Sequence, residues 1–305
     1  MEKPTFLSSR AGVAFALLES MRPSKWARNA FVLTALVFDK KLFDWRPGLR
    51  VTAAFALFCL VASGVYLIND LLDAERDRQH PTKKNRPLAS GRLPVSLAVS
   101  TALLCLGAGI ALGLALRPEL GAILLAYALV NVAYSLWLKH VVVLDTFAIA
   151  SGYVLRVAAG AAAVVVEQFS PWLYAFTGLF AMMVSLAKRR HELLLLAENA
   201  GNHRTSLSAY SLTFFDQTIS MMAGGAIVVY ALYTFFAPNL PDNHAMMLTI
   251  PPALFAFLRY LYLVYSRGEG GVPDDLFWTD RPLIFAVGLW GAVAAAVLYL
   301  IPAGQ

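Results

Sequence analysis

Residues 69–91 read NDLLDAERDRQHPTKKNRPLASG and follow an apolar run that ends in VASGVYLI. Asn69 and Asp70 therefore belong where a membrane helix reaches its polar surface. Asp70, Asp73 and Asp77 fall at i, i+3 and i+7, and Asn69, Asp73 and Asp77 at i, i+4 and i+8. Both spacings put side chains on one helical face. Carboxylates stacked this way repel one another unless a cation neutralises them. Hard oxygen ligands, few and well spaced, suit Mg²⁺, which completes its shell with water and a substrate's phosphates. His80, Lys83, Lys84, Arg86 and Arg92 come just beyond, and Pro81, Pro87 and Gly91 break any helix there. An acidic stripe beside a basic loop predicts a pocket for a metal-bound diphosphate, with Asn69, Asp70, Asp73 and Asp77 as the metal set. Lys83 and Arg86 are the candidates for the diphosphate. The plainer alternative is a charged, solvated turn between two helices. His80 reads as a hydrogen-bonding neighbour of the stripe rather than a ligand.

The rest of the chain is too apolar for a soluble domain. Of 305 residues, 59% are hydrophobic and 14% charged. Apolar runs near spanning length recur at about 24–43, 49–72, 94–115, 119–138, 142–165, 171–187, 215–237, 246–266 and 282–302. This predicts an all-α polytopic membrane bundle of about nine transmembrane helices, one domain over 1–305. Of the lysines and arginines, eighteen fall on the side of the N-terminus and the even-to-odd connections, five on the other, and Arg156 and Arg259 within spans. The positive-inside rule puts the N-terminus and the acidic stripe in the cytoplasm, in the cell membrane of the host. The net charge of +6 fits a basic cytoplasmic face and calls for no nucleic acid. Cys59 and Cys105 lie in apolar runs, without metal or disulfide spacing.

Other polar residues gather on the same predicted face. Arg22, Lys25, Arg28 and Asn29 stand at the mouth of the first span, where cations either snorkel or hold phosphate. An α-helix would put Arg22, Lys25 and Asn29 together. Tyr134 and Lys139 flank the link into the fifth span. Asp145 and Arg156 lie inside that span, three turns apart and so on one face. Ionisable groups at such depth are candidates for function, and Tyr134 and Asp145 are candidates to orient Lys139 and Arg156. A structural ion pair is the alternative. Lys188, Arg189 and Arg190 follow the sixth span, with His203 and Arg204 beyond.

The long acidic motif with its H-P-x-K-x-x-R-P-x-x-S-G continuation resembles the first aspartate motif of the UbiA superfamily of membrane prenyltransferases. The phrase MRPSKWARN near the start also resembles the opening of such proteins. The likeness implies a helical bundle around a cytoplasm-facing cavity, with Asp70, Asp73 and Asp77 as the catalytic, Mg²⁺-holding carboxylates. Aromatic prenyltransferases of the superfamily carry a second motif, D-x-x-x-D, near the end of span six. Here that place reads Lys188-Arg189-Arg190-His191-Glu192, and no aspartate occurs between Ser185 and Tyr210. A cationic cluster serves phosphate directly, by charge-assisted hydrogen bonds, where a carboxylate pair would serve a second metal.

With YSLWLK followed by Leu144-Asp145, this pattern resembles the decaprenyl-phosphate phosphoribosyltransferase branch. That resemblance implies transfer of 5-phosphoribosyl from phosphoribosyl pyrophosphate to a polyprenyl phosphate, a step in making a cell-envelope arabinose donor. Lys25, Arg28, Lys139, Arg156, Lys188, Arg189 and Arg190 are the candidates for the remaining phosphates, and Tyr134 and Asp145 for the ribose hydroxyls. Two competing readings remain at this point: a prenyltransferase acting on an aromatic acceptor, and a non-enzymatic transporter.

Overall fold

The computed structural model describes residues 10–166, 170–198, 210–238, 240–271, 276 and 278–301. Its regular elements are all helical. They are α1 (Arg10–Met21), a 3₁₀ segment (Pro23–Leu33), α2 (Thr34–Phe38), α3 (Trp45–Gln79), α4 (Val95–Leu116), α5 (Pro118–Leu136), α6 (Leu144–Val164), α7 (Pro171–Glu198), α8 (Leu212–Phe236), α9 (Ile250–Ser266) and α10 (Arg281–Leu300), with short 3₁₀ turns between some of them. His203 and Arg204 lie outside the described residues.

Among the described residues, seven helices are long and apolar enough to cross a membrane, where the sequence predicts nine spans. The two expected spans that differ do so for local reasons. Span 24–43 becomes eleven residues of 3₁₀ helix and then the five-residue α2. At three residues per turn, Trp26, Asn29 and Val32 fall on one edge and Lys25 and Arg28 on another. The first edge turns to α3: Trp26 Nε1 donates to Ser63 Oγ at 3.1 Å, and Asn29 Nδ2 to Cys59 Sγ at 3.2 Å. The grouping of Asn29 with Arg22 and Lys25, drawn for an α-helix, is thereby corrected. Span 171–187 does not stop at its last apolar residue. It runs on through the cationic block as the 28-residue α7.

The chain divides into two compact units. The first comprises Met1–Ala35, Asp44–Leu138 and Leu155–Val165. Its axis is α3, 35 residues long. At about 1.5 Å per residue such a helix outreaches a hydrocarbon core of about 30 Å, so its polar end projects beyond the apolar part. Close packing there relies on small residues. A Cβ on Gly109 of α4 would stand 2.5 Å from Val61 of α3. One on Gly160 of α6 would stand 2.0 Å from the carbonyl oxygen of Val32, so the 3₁₀ segment crosses α6 backbone to backbone. Leu88 and Leu93, from the loop after α3, bury themselves among Ala16, Leu67, Ala98 and Ala102.

The second unit comprises Leu36–Phe43, Lys139–Val154 and Val166–Gln305. Its core joins Met183 and Ala187 of α7, Phe215 and Ile219 of α8, and Phe257, Tyr260 and Leu263 of α9. Tyr299 of α10 holds the 36–43 segment, donating to the carbonyls of Leu36 and Val37 at 3.3 and 3.1 Å. The continuous helix α6 contributes to the second unit up to Val154 and to the first from Leu155.

Candidate functional site

In the first unit the acidic stripe is present, helical and already holding cations. Asp70 and Asp77 are buried, 2% and 4% exposed. Seven residues at about 100° each bring them back to within about 20° of one another around α3, whereas Asp73 sits about 60° round. One guanidinium nitrogen of Arg86 reaches both carboxylates, at 3.3 Å to Asp70 and 2.6 Å to Asp77. Arg22 donates to the same oxygen of Asp70 and lies over the ring of Tyr66, 5.0 Å from its centroid.

The loop that carries Arg86 is fixed locally. His80 Nδ1 accepts from the backbone N–H groups of Thr82 and Lys83 at 3.3 and 3.4 Å. The ring nitrogen thus caps the turn. Arg92 clamps the loop to α1, bonding Glu19 twice, at 2.8 and 3.0 Å, and the carbonyl of Asn85 at 2.6 Å.

The expected metal set is Asn69, Asp70, Asp73 and Asp77. Among the described residues, no three Asp, Glu, His or Cys side chains gather around one point. Asn69 Oδ1 accepts from Ser135 of α5 at 3.0 Å. Asp73, half-buried, lies one turn from each of the other two on the same face of α3. Asp70 and Asp77 converge on a point where a cation already sits. Two carboxylates, with water and phosphate oxygens from a ligand, are what Mg²⁺ ordinarily takes from a protein. The donor pair fits the ion.

Arg156 lies deeper in the first unit. Its Nε donates to Asn29 Oδ1 at 2.8 Å and its terminal nitrogen to the Tyr127 hydroxyl at 3.0 Å, with the guanidinium over the rings of Phe58 and Tyr127. A buried arginine held in an amide-and-aromatic box has its donors committed. Lys25 and Arg28 are half-buried on the other edge of the 3₁₀ segment. Tyr134 is half-buried near the end of α5, and Lys83 half-buried in the loop after α3.

In the second unit, the Asp145 carboxylate bonds Arg189. Arg189 Nε donates to it at 3.2 Å, and both residues are buried. Asp145 also accepts from the Thr146 N–H at 2.8 Å and from the Tyr210 hydroxyl at 3.3 Å. Tyr210 in turn accepts from the N–H of Val143 at 2.5 Å. Val143 has φ +71, a conformation that a β-branched residue avoids. The bonds at Tyr210 and the following helix hold it there. Burial pushes the Tyr210 phenol above its usual value, so it stays a donor to Asp145. Arg189 also reaches Glu192 at 2.5 Å. The expectation that Asp145 orients Arg156 gives way to this pairing across α6 and α7.

The cationic block does not form one cluster. Adjacent helical residues point about 100° apart. Arg189 turns to Asp145. Arg190 bonds Asp216 of α8 at 2.6 Å and the carbonyl of Val264 at 3.2 Å, and stacks on Tyr265. Lys188 is exposed. His191 Nδ1 lies 2.7 Å from the carbonyl of Gly268. Lys139 is buried in the short 3₁₀ turn Leu138–His140. An apolar cavity of about 280 Å³ opens beside Val143, Thr146 and Phe147, lined further by Met182, Leu186 and Met221.

The sequence pattern of the UbiA prenyltransferase family matches residues 30–278. The chain belongs to that family. Among curated relatives, the decaprenyl-phosphate phosphoribosyltransferase of Corynebacterium glutamicum is 31% identical over 95% of this chain and 89% of its own length. The protein of the same name from Mycolicibacterium smegmatis is 31% identical over 93% of this chain and 92% of its own. A UbiA homolog from Archaeoglobus fulgidus, solved bound to GPP and Mg²⁺, superposes with a TM-score of 0.69 at 18% identity, over 93% of this chain and 99% of that one. That likeness carries the fold. Family membership and the apolar helices make the chain a multi-pass membrane protein.

The acidic helix and its basic loop are legible in the sequence, whereas several of their partners are not. Arg22 appeared only as a cation at a span mouth. Its bond to Asp70 joins residues 48 apart, which no local period reveals. Its sequence signals are its place in the phrase MRPSKWARN and just before Pro23, where the chain turns from α1 into the 3₁₀ segment. Tyr210, Ser135 and Asp216 are polar residues at helix ends, distinguished only by what they meet in space.

Proposed function

We propose that this chain, acting as one transferase domain over residues 1–305, moves 5-phosphoribosyl from phosphoribosyl pyrophosphate to a polyprenyl phosphate and releases pyrophosphate. The observation that carries this reading is the match, along nearly the whole chain, to relatives named for that reaction. The site chemistry agrees with it. Asp70 and Asp77 would hold Mg²⁺. When bound there, the ion supplies a Lewis acid that stabilises charge on a leaving diphosphate. Arg86 and Lys83 bind the diphosphate oxygens, and Arg22 reaches the same group from the other side.

The bond from ribose C1 to the pyrophosphate oxygen breaks as one from a lipid phosphate oxygen to C1 forms. Attack from the opposite face inverts C1. The lipid phosphate is anionic at neutral pH, so no general base is required, and catalysis is mostly positioning and electrostatics. Lys25, Arg28, Lys139 and Lys188 are assigned to the remaining phosphates. Arg156, Arg189 and Arg190 hold the helices that carry the site, with Asp145 as the partner of Arg189, and Tyr134 is the candidate for the ribose hydroxyls. The excess of lysine and arginine around the site faces the cytoplasm.

The test is an incubation of purified protein in detergent with Mg²⁺, radiolabelled phosphoribosyl pyrophosphate and a polyprenyl phosphate, followed by lipid extraction. Label is expected in the lipid phase and is lost on chelation. Absence of label, together with transfer from a prenyl diphosphate to an aromatic acceptor, would overturn the reading in favour of an ordinary prenyltransferase.

A further inference from the structure

The two arginines on the acidic stripe occupy the oxygens that a metal ion would need. Asp70 accepts from both Arg22 and Arg86, and Asp77 from Arg86. The side chains of the carboxylates are 3% and 6% exposed and those of the arginines 26% and 27%. The cations therefore sit on the solvent side of the carboxylates, where a ligand arrives. Two guanidiniums against two carboxylates leave the group neutral. A divalent cation alone must break charge-assisted bonds and then stand beside two displaced positive charges. A diphosphate alone meets two arginines still held by carboxylates. A metal and a diphosphate together satisfy every group, with carboxylates to metal and guanidiniums to phosphate oxygens.

Arg22 is built for this position rather than arriving there by side-chain drift. Its backbone is left-handed, at φ 54 and ψ 60, which non-glycine residues rarely adopt. The turn is closed by its N–H on the Glu19 carbonyl at 3.2 Å and by the Lys25 N–H on its own carbonyl at 2.9 Å. The Tyr66 ring beneath the guanidinium gives it a face to pivot on.

We propose that Arg22 and Arg86 are exchangeable counter-ions, bound to Asp70 and Asp77 in the ligand-free chain and transferred to the diphosphate when metal and diphosphate enter together. The chain then takes up the pair as a unit and discriminates against free metal. This rests on reading Asp70 and Asp77 as a metal-diphosphate site and gives Arg22 and Arg86 a second role there, as counter-ions before the ligand arrives.

Exchange makes a prediction of opposite sign for two affinities. Full-length protein in detergent is titrated with Mn²⁺ alone, followed by electron paramagnetic resonance of the free ion. It is titrated separately with labelled pyrophosphate at saturating Mg²⁺. Arg22→Gln is expected to tighten Mn²⁺ binding about fivefold or more and to weaken pyrophosphate about tenfold, within the usual range of coupling between sites. Arg86→Gln should show the same signature. Arg22→Lys keeps the charge and is expected to return both affinities towards the parent values.

A merely structural role for Arg22 would move both affinities the same way or neither, and either result overturns the exchange. If the parent protein fails to bind pyrophosphate with Mg²⁺, the metal-diphosphate reading of the stripe falls and the exchange with it. Neither titration contains ribose or lipid, so failure of phosphoribosyl transfer is scored separately.

Discussion

Two of the arginine–carboxylate systems, one in each unit, are built differently. On α3, two buried carboxylates meet arginines supplied by a turn and a loop, each about a quarter exposed. Between α6 and α7, Asp145 and Arg189 both come from helices, and their side chains are 5% and 7% exposed. Tyr210, Thr146 and Glu192 complete the second system, so its charges are satisfied within the protein. The first system keeps cations within reach of solvent over anions that are not. A pair enclosed on all sides holds helices in register. A pair open on its cationic side can trade partners with a ligand. Burial of the guanidinium, rather than the presence of an ion pair, separates a lock from a site.

The largest expected effect tests the open system. Asp70→Asn with Asp77→Asn should lower kcat/KM for transfer by at least about 10³-fold, roughly 4 kcal/mol of lost transition-state stabilisation. Thermal unfolding in detergent should barely change, because the arginines regain water. Full Mg²⁺-dependent turnover in that variant would remove the stripe from the site. The enclosed system should respond in the opposite manner. Arg189→Ala leaves Asp145 buried and unpaired and should destabilise the fold by about 3 kcal/mol. Adding Asp145→Asn should recover much of that. A shift of a few tenths of a kcal/mol in unfolding experiments would show that water reaches the pair.

Tyr210→Phe removes the acceptor for the Val143 N–H and one donor to Asp145. The expected loss is about 1–2 kcal/mol in the same assay, smaller than for Arg189 because no charge is orphaned.

A third pair, Arg259 with Asp280, marks the weak end of the comparison. Two bonds of 3.1 and 2.8 Å join them, and Asp280 also caps α10 through the Leu283 N–H at 2.9 Å. The Arg259 guanidinium beside it holds the Asp280 carboxyl below the usual carboxylate range. Its folded-state value is depressed, so its contribution is present above the ordinary aspartate value and lost as the pH falls through the depressed one. Asp280→Asn should flatten this small acid limb of the unfolding midpoint, and an unchanged limb would assign it to other carboxylates.

Local repetition made the helices and the acidic stripe legible. Apolar runs of spanning length and carboxylates at i, i+3 and i+7 are properties of neighbouring residues, and a helix converts them directly into faces. The continuation from His80 to Gly91 announced a loop through its prolines and its glycine, and the cations in it pointed to an anion. Where the reading went astray, the helix type or its length had changed. Segment 23–33 wound as 3₁₀, which reassigned Asn29 from the cationic edge to α3. The stretch from Lys188 to Glu192 stayed helical, and a helix cannot present three consecutive cations to one ligand.

By itself the sequence determined that this is a helical membrane protein with a carboxylate stripe at the end of one long span, and that its second basic block stands where a second acidic motif would otherwise be. Those features rest on chain composition and on spacing within a few turns. Only the tertiary structure decided which cation faces which carboxylate. Arg22 finds Asp70, Arg189 finds Asp145, and Arg156 finds Asn29 and Tyr127. Charges of one sign are interchangeable in a sequence, and burial selects the partner by leaving each ionised group a single place to be satisfied.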